Sequence, residues 1–247
     1  MKDNTNTVLV EPYRKAAADT TISLNSYKGL RIHALPGLHD FIGEQVGHYF
    51  QSEGKLLDIA SGSGALSLRM QDAGFDVWST DYVSENFKLD TENFIQADLN
   101  EVFTPLFPEN FQAIIASEII EHLENPRHFA RQCFKLLASG GKMLLTTPNI
   151  ENAGSKTAFI RSGSFLWFNE EDYINQGHIT PLTQWQIKKS FEEAGFKFIW
   201  TGSFGEGATR LGGSPRLTLL AKLIAMLSTT DPELSREIFV AVVEKPV

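Results

Sequence analysis

Short apolar runs alternate with helical patterns along most of the chain, and each apolar run ends at a polar or glycine-rich turn. The pattern predicts strands at 55–60, 75–80, 94–97, 111–116, 142–147, 196–201 and 238–244. It predicts helices at 39–50, 65–73, 127–137 and 184–194. Strands alternating with helices favour a parallel sheet, and right-handed crossovers cover both of its faces. The sequence therefore predicts an α/β fold: a Rossmann-like, seven-stranded, mostly parallel, doubly wound sheet with helices on both faces.

Glycine and proline mark the predicted ends of these elements. Gly74 follows the helix 65–73, and Gly195 follows the helix 184–194, each as a C-terminal stop. Gly140-Gly141 marks the end of the helix 127–137, and Pro148 stops the strand that follows.

The alternation divides the chain into an N-terminal segment and one domain. Residues 1–50 precede the first strand and are predicted to form a helical N-terminal segment or lid, and residues 51–247 are predicted to form the domain. Two stretches, 149–180 and 206–237, do not fit the alternation and are predicted insertions. Long insertions of this kind are usually lids or binding loops. The first is rich in glycine, asparagine and aromatic residues, and we expect it to be a lid.

Charge and cysteine content exclude several classes of protein. The 247 residues include 22 basic and 30 acidic side chains, for a formal net charge of −8. Lys and Arg are not gathered into one basic stretch, so a nucleic-acid partner is not expected. Cys133 is the single cysteine, which excludes an internal disulfide framework and a cysteine-rich zinc site.

No segment predicts a membrane span or an apolar leader. Residues 1–21 are polar, and the longest apolar stretch, 217–227, is too short to span a bilayer and contains Lys222. The sequence therefore predicts a cytoplasmic protein. The apolar stripe of 217–227 favours a helix packed on the core, and the alternative is contact with a membrane surface or a lipid-linked acceptor.

Candidate ligand-binding residues follow the predicted strand ends. In open parallel sheets, ligands bind beyond the carboxyl ends of the strands. Asp58 and the turn 61–64 follow the first strand, and the glycines of this turn allow close approach of a ligand. Asp81 ends the second strand, where an acid accepts both ribose hydroxyls of an adenosine.

A nicotinamide dinucleotide is the first alternative for this ligand. The fingerprint G-x-G-x-x-G is incomplete, because Gly62 and Gly64 are followed by Ser67. Asp58 would repel a pyrophosphate at the helix N-terminus. It suits the sulfonium and ammonium of S-adenosylmethionine, which carries no phosphate.

The run Leu56-Leu-Asp-Ile-Ala-Ser-Gly-Ser-Gly64 resembles motif I of the class I S-adenosylmethionine-dependent methyltransferases. Asp81 and the stretches 96–99, 116–126 and 136–149 resemble the family's later motifs in order, so the resemblance covers about 56–244. It implies the methyltransferase fold and S-adenosylmethionine as the cofactor. The implied cofactor ligands are Asp58, Ala60, Ser61, Gly62, Gly64, Asp81, Tyr82, Asp98, Leu99 and Ser117.

Ala60 departs from the family pattern, which usually has glycine at this position. A methyl group is tolerated there if the backbone keeps a negative φ.

Glu118, Glu121 and His122 are spaced to share one face of a helical turn, and His178 precedes the next predicted helix. This arrangement resembles the metal constellation of small-RNA 2′-O-methyltransferases and of ubiquinone-biosynthesis O-methyltransferases. It implies a divalent ion that lowers the pKa of an acceptor hydroxyl. One alternative is that His122 or His178 acts as a catalytic base without a metal. The other is that Glu118 faces the cofactor and His122 only forms a local hydrogen bond.

Aromatic side chains in the first insertion bear on the methyl acceptor. They are Phe159, Phe165, Trp167, Phe168 and Tyr173. With the nearby carboxylates they suit a polyhydroxylated ring, or else they pack the insertion on the sheet. The sequence therefore predicts an S-adenosylmethionine-dependent O-methyltransferase of a small polyhydroxylated or glycan-type acceptor. The alternatives are N- or C-methylation of a small metabolite, or a non-catalytic cofactor-binding domain that regulates a partner.

Overall fold

A computed structural model describes residues 25–51, 54–108, 110–207 and 214–247, so the predicted N-terminal segment 1–50 lies partly outside the described residues. Its described part begins with a short antiparallel hairpin, β1 (Ser26–Tyr27) and β2 (Leu30–Arg31). The helix predicted at 39–50 follows as α1 (Leu38–Tyr49).

Seven strands of the described chain form the main sheet. They are β3 (Lys55–Ile59), β4 (Asp76–Asp81), β5 (Phe94–Gln96), β6 (Phe111–Ser117), β7 (Leu137–Pro148), β8 (Lys197–Gly207) and β9 (Arg236–Glu244). Their order across the sheet is β5-β4-β3-β6-β7-β9-β8, and β9 runs antiparallel to both neighbours while the other pairs are parallel. The predicted seven-stranded, mostly parallel sheet is confirmed.

Helices cover both faces of this sheet. The remaining six are α2 (Ala65–Asp72), α3 (Pro126–Leu136), α4 (Ala153–Ser162), α5 (Glu170–Gln176), α6 (Gln184–Ala194) and α7 (Pro215–Leu227). Buried side chains of α1 and α2 pack on one face, and those of α3 and α6 pack on the other. The doubly wound arrangement predicted from the alternation is confirmed. None of the described helices is long and apolar enough to cross a membrane.

The prediction that Gly140-Gly141 ends a helix is wrong. The helix α3 ends at Leu136, and β7 begins at Leu137, five residues before the predicted strand. The register between β6 and β7 shifts here, since Phe111 pairs with Leu137 and Ala113 pairs with Lys142. A Cβ on Gly141 would lie 2.9 Å from the carbonyl oxygen of Ala138. The absence of a side chain at Gly141 therefore permits the irregular pairing within this strand.

The strand predicted at 196–201 continues to Gly207 because β9 pairs along its whole length, with Gly207 opposite Arg236. Residues 202–205, which carried no predicted element, and residues 206–207, which were predicted to begin the second insertion, are therefore part of this strand.

The two predicted insertions contact each other. The first contains α4 and α5, and the second contains α7, which packs against α4. Asn149 Nδ2 donates to the carbonyls of Leu234 and Arg236, at 2.9 and 2.8 Å. These bonds hold the start of the first insertion to the end of the second, above the carboxyl end of β7.

Candidate active site at the carboxyl edge of the sheet

In the sheet, β4 and β5 lie on one side of β3, and β6 lies on its other side. The candidate residues lie at the carboxyl ends of these parallel strands. The turn after β3 depends on glycine, because Gly62 and Gly64 have φ of 53° and 86°. A Cβ on Gly64 would lie 2.9 Å from Leu89 Cγ. The turn therefore brings bare backbone to the edge of the sheet at the start of α2.

Ala60 does not keep the negative φ on which its tolerance was expected to depend. Its φ is 62°, in the left-handed region that favours glycine. A non-glycine residue in this region costs on the order of 1 kcal/mol or more. Ala60 therefore has a strained backbone conformation, and it lines the pocket beside the turn.

Asp58 is buried at the end of β3 and is held by two serines. Ser67 Oγ donates to Asp58 Oδ2 at 2.6 Å, and Ser79 Oγ donates to Ser67 Oγ at 3.0 Å. Burial raises the pKa of the Asp58 carboxyl to about 7, against the lowering effect of the Ser67 hydrogen bond. A cation bound nearby would favour the ionised form and lower this pKa again.

Asp81 is buried at the end of β4, where two backbone amides orient its carboxylate. The N–H of Gly62 donates to Oδ2 at 2.8 Å, and the N–H of Val83 donates to Oδ1 at 2.9 Å. Burial is the largest influence on this carboxyl and raises its pKa. Each carboxylate oxygen has a second lone pair, so two acceptor positions remain for ligand hydroxyls.

The other predicted cofactor ligands lie at the same edge. Tyr82 follows Asp81, and its carbonyl accepts from Gln96 Nε2 at 2.8 Å, which joins the ends of β4 and β5. Asp98 Oδ1 accepts from the N–H of Asn100 at 2.9 Å, and Leu99 is buried in the core. Ser61 and Ser117 line the pocket beside Asp58.

Three residues of this pocket have no signal in the sequence pattern. Arg31, His33 and His39 line it from the N-terminal hairpin and the start of α1. His39 is buried, and its Nδ1 has no hydrogen-bond partner in the described part of the chain. Burial lowers the pKa of His39 to about 4. Arg31 and His33 lie beside the glycine turn, since Ser63 Oγ donates to the carbonyl of Arg31 at 2.6 Å and a Cβ on Gly62 would lie 3.9 Å from His33 Cδ2.

A second group of side chains forms where the first insertion meets the turn after β6. Glu121, His122 and His178 each offer one ligand atom, and these atoms all lie within 4.8 Å of one another. The rings of His122 and His178 meet edge to face with centroids 4.7 Å apart. Three of the four residues proposed from sequence as metal ligands thus come together, and we call them the Glu–His–His cluster.

Backbone hydrogen bonds bring His178 to this cluster across 56 positions of sequence. The N–H groups of Ile179 and Thr180 both donate to the carbonyl of Glu121, at 3.1 and 2.9 Å. Thr180 Oγ1 donates to the carbonyl of Leu123 at 2.5 Å. These bonds dock the segment after α5 onto the turn that carries Glu121 and His122.

Both histidines of the cluster point Nδ1 at a backbone carbonyl. His122 Nδ1 lies 3.2 Å from the oxygen of Gly177, and His178 Nδ1 lies 2.7 Å from that of Trp167. A carbonyl only accepts, so Nδ1 carries the hydrogen in each neutral ring, and Nε2 carries the lone pair. Burial lowers the pKa of His122 to about 3 and lowers that of His178 as well, so both rings are neutral at pH 7.

The two carboxyl groups differ in their partners. Thr147 Oγ1 donates to Glu121 Oε2 at 2.9 Å, while the buried Glu121 Oε1 has no hydrogen-bond partner among the residues that the structure describes. Glu118 Oε1 accepts from Thr146 Oγ1 at 2.8 Å, and Glu118 lies outside the Glu–His–His cluster. Burial raises the pKa of both, to about 7 for Glu118, and the charge of Glu118 raises that of Glu121 further.

The aromatic residues of the first insertion divide between packing and the site. Phe159 and Phe165 stack on each other with centroids 4.5 Å apart, whereas Phe168 lies 5.5 Å from the His178 ring. The half-buried Phe168 therefore presents a flat apolar surface next to the Glu–His–His cluster.

Comparison with known proteins identifies the family. A family model described as a methyltransferase domain matches residues 30–200, which include the glycine turn, both aspartates and the Glu–His–His cluster. The chain belongs to the class I S-adenosylmethionine-dependent methyltransferases.

The individual proteins that resemble this chain match it at modest identity and over part of its length. A ubiquinone biosynthesis O-methyltransferase of Caulobacter sp. strain K31 is 32% identical over 126 residues, which cover 44% of this chain and 50% of that protein. The chain thus spans about half the length of this curated relative.

Solved structures share the fold. A S-adenosylmethionine-dependent methyltransferase from Archaeoglobus fulgidus superposes with a TM-score of 0.60 at 18% identity, covering 84% of this chain and 94% of the other. The magnesium protoporphyrin IX methyltransferase of Synechocystis PCC 6803 gives a TM-score of 0.59 at 13% identity, covering 95% and 93%.

Proposed function

We propose that this enzyme transfers the methyl group of S-adenosylmethionine to a hydroxyl oxygen of a small acceptor that carries neighbouring ring hydroxyls. The Glu–His–His cluster is the observation that carries this proposal. Glu121 and His122 of the cluster follow β6, and Ser117, the last residue of β6, lines the cofactor pocket. The proposed acceptor site and the cofactor pocket are therefore neighbours at the carboxyl edge of the sheet. An oxygen nucleophile must lose a proton. The cluster can promote this loss, either through a histidine that accepts the proton or through a bound divalent ion that lowers the pKa of the hydroxyl.

The pocket residues suit the charged parts of the cofactor. Arg31 suits the carboxylate of the methionine portion, and the buried Asp58 suits the ammonium and sulfonium. The two remaining acceptor positions of Asp81 suit the ribose hydroxyls. This distribution of charge disfavours a pyrophosphate beside Asp58, which supports S-adenosylmethionine over a dinucleotide.

The residues of the Glu–His–His cluster also fit a divalent ion. Histidines that bind metals usually donate their other N–H to a carbonyl or carboxylate, as both do here. Glu121 Oε1 is a buried carboxyl oxygen that finds no hydrogen-bond partner within the described ranges, and burial of such a group is costly unless a cation or donor meets it. The chemistry of the donor set fits Mg²⁺, Mn²⁺ or Zn²⁺. A bound divalent ion lowers the pKa of a coordinated hydroxyl.

The chemical step is an in-line displacement. The acceptor hydroxyl gives its proton to solvent or to the Nε2 lone pair of a cluster histidine, its oxygen attacks the methyl carbon, and the carbon–sulfur bond breaks to leave a neutral thioether. The chain's own residues align oxygen, carbon and sulfur, and such alignment supplies about 7–11 kcal/mol of a barrier. Thr146 and Thr147 at the end of β7 fix the carboxyl groups by hydrogen bonds, so their positions are set before the acceptor binds.

Two observations support a ring-shaped hydroxylated acceptor. The Phe168 ring beside His178 offers a flat apolar contact, and the cluster lies at one edge of that contact. The curated relatives carry names of O-methyltransferases. A catechol and a sugar share vicinal ring hydroxyls, and the experiment separates these two sources.

A panel of acceptors tests the proposal. The full chain is incubated with methyl-labelled S-adenosylmethionine and catechol, phenol, a methyl glycoside or a primary amine, and products are identified by mass spectrometry. We expect label on oxygen with catechol or the glycoside, and at least about tenfold less with phenol, which lacks the second hydroxyl. Label only on nitrogen or carbon would contradict the proposal.

A further inference from the structure

The helix α7 exposes an unusual amount of apolar surface. Within it, Ala221 alone is fully buried. Leu219, Leu223, Met226 and Leu227 are 60%, 48%, 82% and 85% exposed. Large apolar side chains gathered on one helix face mark a surface that is covered by something else.

Two cations belong to the same exposed face. At about 100° per residue, the exposed side chains of α7 other than Ala225 fall within an arc of about 140°. Met226, Leu219 and Leu223 occupy the middle of this arc. Arg216 and Lys222 lie toward its opposite margins, and neither forms an ion pair within the described residues. The stretch 207–230 contains no acidic residue. We call this arc the α7 face.

The opposite side of α7 is held by the protein. The helix packs against α4, and Lys156 Nζ of α4 donates to Ser228 Oγ and Thr230 Oγ1 just after α7, at 3.1 and 3.2 Å. The helix α4 itself exposes Phe159 and Ile160. The α7 face is thus presented outward on a fixed support.

We propose that the α7 face is a docking surface for an anionic lipid bilayer, in which α7 lies flat at the level of the headgroups. The apolar middle of the arc enters the boundary of the acyl chains, and the flanking Arg216 and Lys222 pair with lipid phosphates. The helix has 13 residues, which is too short to span a bilayer but sufficient to lie along its surface. This inference is independent of the acceptor proposed above.

Charge favours a bilayer over a second copy of this chain. A twofold contact places the same patch on both subunits, so Arg216 and Lys222 would face like charges, with no acid on the α7 face to pair with them. Anionic lipids supply the missing negative charge. The net charge of −8 opposes approach of the rest of the protein to such a surface. Binding therefore depends on the orientation that points the α7 face at the lipid.

Vesicle flotation with the full chain tests this proposal. We expect the protein to float with phosphatidylcholine–phosphatidylglycerol vesicles and to bind pure phosphatidylcholine more weakly. Arg216→Gln and Lys222→Gln should each weaken binding to the anionic vesicles about fivefold. Leu219→Gln and Met226→Gln should each weaken it about tenfold, since an apolar insertion is lost.

Trp185→Gln is the matched control, because Trp185 is an equally exposed apolar side chain, 67%, on α6. It should leave flotation unchanged. Equal loss in the control, or no flotation of the wild type, would overturn the proposal. So would a dimer in sedimentation velocity that Met226→Gln dissociates, because a second copy would then cover the α7 face.

Discussion

Replacing either histidine of the Glu–His–His cluster by alanine is expected to lower kcat/KM for methyl transfer by about 10³-fold. The cluster places three ligand atoms within 4.8 Å, and the loss of one imidazole leaves too few donors to hold a divalent ion at the acceptor. The double variant His122→Ala/His178→Ala should be hardly worse than either single variant, because residues that act as one unit have non-additive effects. Steady-state assays with the acceptor found in the panel measure this.

The control is His48→Ala, which removes an exposed histidine from α1 and should keep full activity. Chelator treatment of the wild type should abolish activity, and one divalent ion should restore it. If activity survives chelator while only one histidine variant is impaired, that histidine acts as a base. If both variants keep full activity, neither role is correct.

Asp81→Asn is expected to weaken binding of S-adenosylmethionine by about 10- to 100-fold, the scale of one or two hydrogen bonds to a charged group. The asparagine side chain has one acceptor oxygen where the carboxylate has two. It therefore cannot accept from the N–H groups of Gly62 and Val83 and also serve both ribose hydroxyls. Calorimetric titration with the cofactor and with its demethylated product measures the change.

Asp76→Asn is the matched control for this variant, since Asp76 is exposed at the opposite end of the same strand. It should bind the cofactor as the wild type does. Thermal unfolding without ligand separates a loss of fold from a loss of binding, because Asp81 also orients the turn after β3. Unchanged affinity in a folded Asp81→Asn protein would exclude the ribose role.

The sequence pattern predicts the sheet well because its signals are local. Buried strands such as 238–243 are continuous apolar runs, and the family resemblance places Asp58 and Asp81 at successive strand ends, where the structure has them. Because the sequence pattern is local, a glycine alone does not show whether it ends a helix or lies in an irregular strand. Gly195 ends a helix as predicted, whereas Gly140-Gly141 serves an irregular strand pairing with β6 that no local rule contains.

The Glu–His–His cluster was only partly predictable. The spacing of Glu121 and His122 is local, but His178 joins them through hydrogen bonds from the N–H groups of 179 and 180 to the carbonyl of Glu121. Such backbone bonds leave no trace in residue type. The same holds for Arg31, His33 and His39, which reach the cofactor pocket because α1 packs against the sheet and the hairpin before it packs against α2.

Electron paramagnetic resonance of free Mn²⁺ tests directly whether the Glu–His–His cluster of this methyltransferase holds a divalent ion at the acceptor position, as proposed. Chelator-treated full chain is titrated with Mn²⁺ in the presence of the demethylated cofactor. We expect one bound ion per chain for the wild type and for His48→Ala, and none at the same concentrations for His178→Ala. A wild type that binds no Mn²⁺, Mg²⁺ or Zn²⁺, or a His178→Ala variant that binds as the wild type does, would contradict this proposal.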